Sequence, residues 1–189
     1  MRNLKKSAQV RMGFTLVELL VVIAIIAILA AVVVLIINPL ELTRRGRDAA
    51  RLSDLANLQQ AINVTLQEAT GSAGQILCKD TSAPCTGRST SGSRAADGTG
   101  WVLADLTAQK SVSVPILPVD PASSPNSVTN HYTYCSDGDS WKIVTALEST
   151  QQSPKASQDG GTNTTETAGA RTSADLYEVG SSMSLACDF

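Results

Sequence analysis

The chain has 189 residues, with 15 Lys and Arg against 17 Asp and Glu, a formal charge of −2. That is room for one modest domain and an appendage, and a nearly balanced charge with 17% charged and 4% aromatic residues argues against a basic nucleic-acid-binding domain, so no nucleic-acid partner is supported. One histidine and four cysteines leave little raw material for a zinc site or a His-dependent catalytic triad.

Residues 1–13 carry Arg2, Lys5, Lys6 and Arg11 and no acid, and the chain then runs apolar from Phe14 to Ile37 apart from Thr15 and Glu18. Leu16 to Ile37 is 22 residues. As a helix they would extend about 33 Å, enough to cross a hydrocarbon core of about 30 Å. A secretory signal peptide has an apolar region of only about 7 to 15 residues, which this run exceeds. Glu18 is the odd residue, because a carboxylate inside such a segment costs on the order of 2 to 3 kcal/mol. It needs a partner, or it must reach the interface.

The string Gly13-Phe14-Thr15-Leu16-Val17-Glu18-Leu19-Leu20-Val21-Val22-Ile23-Ala24-Ile25-Ile26 resembles the class III signal of type IV prepilins and type II secretion pseudopilins. The resemblance implies a leader, residues 1–13, cut by a membrane-embedded prepilin peptidase between Gly13 and Phe14, with N-methylation of the new Phe14 amine. It implies that Glu18 is the assembly residue, its carboxylate neutralising the Phe14 ammonium of a neighbouring subunit and so setting axial register. Such a polar pair chooses one packing over others and is not expected to be a net source of stability. Cleavage removes four cations and no acid, taking the formal charge from −2 to −6.

The positive-inside rule does not orient the segment, because Arg44, Arg45, Arg47 and Arg51 beyond its far end match the four leader cations. The leader and the cysteines favour a single pass through the cytoplasmic membrane, N-terminus in and C-terminus out. These four arginines read as an interfacial belt, with intersubunit pairing to Glu41 or Asp48 as the alternative.

Asn38-Pro39 predicts a kink or an open turn, since Pro39 lacks a backbone N–H. Beyond it Leu52, Leu55, Leu58 or Gln59, Ile62 and Leu66 recur at three- and four-residue steps, an amphipathic stripe for core packing, and Gly71 and Gly74 end it. The segments are thus a membrane and filament-core helix over 14–37, an amphipathic helix over 38–70 and an extracytoplasmic head over 71–189. In the head, 71–100 reads as a loop with little regular structure, and Pro118-Val119-Asp120-Pro121 as a rigid turn. Antiparallel strands are expected about 131–147 and 175–187, and 149–174 reads as an exposed flexible loop. The expected fold class is α+β, a pilin-like lollipop whose long N-terminal helix packs on a small antiparallel sheet.

Four cysteines outside the cytoplasm suggest two disulfides with three possible connectivities, of which Cys78 with Cys85 and Cys135 with Cys187 is favoured. The second would close a loop of about 50 residues and contribute roughly 4 kcal/mol in the chain-entropy model. Zinc is the rival, weakened by the absence of any Cys-x-x-Cys pair. Asp137 and Asp139 flank Gly138; some pseudopilins hold calcium in a head loop, which makes these acids weak calcium candidates. A hairpin turn favours the same residues, and no cofactor is otherwise expected. Trp101 and Trp141 read as core anchors beside His131, Tyr132 and Tyr134, with an aromatic ligand platform as the rival.

The resemblance implies a structural subunit of a type IV pilus or type II secretion pseudopilus, not an enzyme. Its implied partners are prepilin peptidase, copies of itself and minor pilins or pseudopilins, an inner-membrane platform with a cytoplasmic ATPase, and lipid. Two rivals make different demands. A membrane-anchored binding module that does not polymerise requires an uncut N-terminus, and an anchored enzyme using Asp137 or Asp139 requires a deep pocket with perturbed carboxylates.

Overall fold

The computed structural model describes residues 13–90, 92–108, 111, 114–123, 130–161 and 176–185. The chain divides into two units, Met1–Leu42 and Thr43–Phe189.

In the first unit the helix α1 spans Leu16–Ile37, and its residues Leu16–Val34 are long and apolar enough to cross a membrane, with none of them buried. It ends at Asn38, which adopts the left-handed conformation with φ 45°. A residue before proline is driven out of the right-handed helical region, so the α-helical path breaks one residue ahead of Pro39. Asn38 then also starts the next helix, α2, Pro39–Glu68, its carbonyl oxygen and side-chain Oδ1 both accepting from the Glu41 N–H. The expected kink is therefore a full interruption.

In the second unit α2 buries Asp48, Arg51, Leu55, Leu58, Ala61, Ile62 and Thr65. The three- and four-residue steps are those expected of a core-facing stripe, but its first two members are charged, while Leu52 and Leu66 are only half-buried. Four short strands form one antiparallel sheet in the order β1 Cys85–Arg88, β2 Thr133–Ser136, β3 Trp141–Thr145, β4 Tyr177–Gly180. Tyr134 pairs with Ile143, and Ile143 with Val179, which puts these three on one face. That face shares a core with Leu55, Leu58 and Ile62 of α2, with Leu77, and with Trp101, Leu106 and Leu117 from the long connection between β1 and β2. Trp101 and Tyr132 lie with ring centroids 5.8 Å apart, and the Trp101 indole N–H donates to the Pro118 carbonyl at 3.0 Å. Full burial of Trp101, Trp141, Tyr132 and Tyr134 removes the aromatic platform as a surface feature.

Two expectations for the head need correction. The stretch 71–100 contains a short helix α3, Ala73–Leu77, and the strand β1. A Cβ at Gly87 would fall on the Trp101 carbonyl, so β1 lies against that loop at a distance only glycine permits. The stretch 149–174 is not wholly exposed: Ser149 and Ala156 are buried and Ser153–Lys155 forms a 3-10 turn, while residues 162–174 lie outside the described residues. The opposite face of the sheet buries a Lys142–Glu178 ion pair at 3.1 Å, each side chain fully shielded.

Candidate processing and assembly site

Gly13 and Phe14 precede α1 in irregular, exposed backbone, and Phe14 is 85% exposed. A Cβ placed on Gly13 would meet nothing within 4 Å, and no positive φ is recorded there. Among the described residues nothing demands glycine at that position. Thr15 is the N-cap, its extended backbone turning the chain into the helix. Its Oγ1 accepts from the Glu18 N–H at 3.2 Å, and the Glu18 carboxylate accepts from the Thr15 N–H at 3.1 Å and hydroxyl at 2.9 Å. Thr15 and Glu18 thus form a reciprocal capping box that satisfies two otherwise unpaired helix-end donors. The carboxylate is held at the helix start, where the macrodipole favours negative charge, one turn from Phe14.

Sequence reasoning missed what the arginines beyond α1 do. Arg51 is fully buried, donating to both oxygens of Asp120 at 2.8 Å, to Asp48 at 2.7 Å and to Glu148 at 2.6 Å. Arg47 also pairs with Glu148, and Asp48 accepts from the backbone N–H groups of Glu148 and Ser149. Burial pushes the Asp48 carboxyl up, but bonds from Ser149, Glu148 and Arg51 outweigh it and hold it below the ordinary range. Burial likewise opposes, and Arg47 and Arg51 overcome, in lowering Glu148. Arg47 and Arg51 are therefore clamps within this chain, not members of an interfacial belt. A cluster of arginine with acids three residues away was visible in sequence; the partners 69 and 97 residues distant were not.

Cys78 and Cys85 form a disulfide, so α3 and β1 are tied across seven residues, and no described cysteine is free. The proposed partner of Cys135, Cys187, lies outside the described residues. Asp137 and Asp139 sit at the tip of the β2–β3 hairpin, both exposed. Asp137 Oδ1 accepts from the N–H groups of Asp139 at 3.0 Å and Ser140 at 2.6 Å, which is turn chemistry, with Gly138 at φ 97°. Among the described residues no three His, Cys, Asp or Glu gather to hold a metal ion.

Residues 13–34 match the family model described as the prokaryotic N-terminal methylation motif. The chain therefore carries a class III prepilin-like signal, of the kind borne by type IV pilins and pseudopilins, at the Gly13–Phe14 junction and along α1. No curated protein and no solved structure matched the chain.

Proposed function

We propose that this chain is a prepilin or pseudopilin, a structural subunit cut after Gly13, N-methylated on Phe14 by prepilin peptidase, and polymerised into a type IV pilus or type II secretion pseudopilus. The observation that carries the reading is the methylation motif over residues 13–34, lying on an exposed junction and an apolar helix that buries none of Leu16–Val34 in its own chain. Such a surface requires lipid before assembly and other subunits afterwards. In this reading Gly13, whose added Cβ would meet nothing among the described residues, serves the peptidase.

In this reading the subunit waits in the cytoplasmic membrane, N-terminus in and C-terminus out, until an inner-membrane platform driven by a cytoplasmic ATPase extracts it. Catalysis is not its task. Glu18, held by Thr15 in the single subunit, exchanges that local partner for the Phe14 ammonium of a neighbour, an attraction much stronger in a low-dielectric filament core than in water. The extracytoplasmic head carries the Cys78–Cys85 bridge and, as proposed, a second between Cys135 and Cys187. The test is Glu18→Ala in the full chain. The head should stay folded and the chain should stay in the membrane while filaments disappear; a normal filament yield by electron microscopy would sink the register role.

A further inference from the structure

The sheet face opposite Tyr134, Ile143 and Val179 carries a pair that the filament reading does not use. Lys142 on β3 and Glu178 on β4 are diagonal neighbours, since Gly180 stands opposite Lys142 and Val144 opposite Glu178. The Lys142 amine lies 3.1 Å from Glu178 Oε2, and both side chains are 0% exposed. Glycine at two positions allows this close fit. A Cβ at Gly180 would fall 2.8 Å from the Lys142 Cα, and one at Gly161 would fall 2.3 Å from Glu178 Oε2. The backbone at Gly161 therefore lies directly on the carboxylate. Asp159 holds it there, its carboxylate accepting from the Glu178 N–H at 2.7 Å and from the Gly161 N–H at 2.8 Å.

A primary amine and a carboxyl group are the two halves of an amide. Held in reacting contact, two such groups behave as though one were present at an effective concentration of about 10⁵ M or more. Two buried charges also carry a desolvation penalty that a neutral amide avoids. A site closed to water has nothing to hydrolyse the bond once it is made. The contrast within the same chain is Lys79 with Asp105, a pair at 2.6 Å whose side chains are 33% and 25% exposed, where solvent competes for both groups.

We propose that Lys142 and Glu178 condense to an intramolecular isopeptide bond. One ammonium proton passes to the carboxylate and the neutral Nζ attacks Glu178 Cδ. The Nζ–Cδ bond forms, a Cδ–O bond breaks, and the oxygen leaves as water with the transferred proton and one more from Nζ. An ion pair thus gives a neutral amide and water, and nothing is oxidised or reduced. The bond ties β4 to β3 through their side chains as well as their backbones. It goes beyond the filament reading and depends on neither Gly13 nor Glu18.

The test is tryptic mapping of the full chain extracted from its native membrane, reduced and alkylated so that no disulfide contributes. Trypsin cuts after lysine and arginine, and an acylated Lys142 is no longer a site. The expected product is residues 111–155 with residues 172–189 attached as a branch. Its mass should lie about 18 Da, one water, below the sum of the two peptides. A peptide ending at Lys142, another beginning at Ile143, and residues 172–189 released free would overturn the proposal and leave an ion pair. Lys142→Arg keeps a cation beside Glu178 without a primary amine, and should release residues 172–189 free. A branch that survives this substitution overturns the assignment to Lys142. If the variant does not accumulate, the map of the natural chain decides alone. The N-terminal peptide of the same digest reads processing separately, so a chain that still begins at Met1 would remove the filament reading without touching the bond.

Discussion

Arg51 shows how much of the head depends on one side chain. Its guanidinium, fully buried, satisfies Asp48, Asp120 and Glu148 at once, joining α2 to the loop before β2 and to the chain after β3. Removing one member of a buried charge network leaves the others uncompensated, at a cost of about 3 to 5 kcal/mol. Arg51→Ala should therefore lower the melting temperature of the head by about 10 °C, since a domain of this size loses roughly 2 to 4 °C per kcal/mol. Fluorescence of the full chain in detergent measures it, because both tryptophans are buried. The same experiment has an acid arm. Asp48 and Glu148 are held below their ordinary values, so their contribution is complete above the unfolded value near pH 4 and is lost as pH falls through the folded values. The natural head should lose stability on that descent, and Arg51→Ala should lose markedly less. Equal melting of the two proteins at pH 7 would remove the network from the account.

Among the elements, those with a strong local signal were legible in sequence. The apolar run gave α1 and its membrane length, and alternation around Asp137-Gly138-Asp139 gave the β2–β3 hairpin. The strand β1 was not legible, because Cys-Thr-Gly-Arg has neither length nor alternation; it is a strand because β2 pairs with it, Cys85 is bonded to Cys78, and Gly87 admits the Trp101 backbone. The Arg51 network was hidden for a related reason: two of its acids come from turns far along the chain, and nothing local marks them as buried. The capping-box pair, Thr15 and Glu18, stands at the required spacing, but in sequence Glu18 reads only as an assembly residue. The tie on β1 gives a prediction at this scale. Closing a loop this short contributes about 2.5 kcal/mol in the chain-entropy model. Cys85→Ser with Cys78→Ser should thus cost about that much in denaturant unfolding of the full chain, and a change within error would mean that β1 is held by its pairing with β2 alone.

At the scale of the whole molecule, the two units answer different demands. The helix α1 buries none of Leu16–Val34 in its own chain, whereas the unit from Thr43 onward has a sheet with a tyrosine- and tryptophan-rich core and charge networks that saturate its buried acids. The methylation motif lies in the first unit and the packed core in the second. The motif covers only residues 13–34, and the head is held by its own packing. The most direct test is therefore mass spectrometry of the intact chain and its N-terminal peptide, extracted from the native membrane. An N-terminus at Phe14, carrying one added methyl group, is the predicted result; a chain that begins entirely at Met1 would contradict processing and favour a membrane-anchored module that never polymerises.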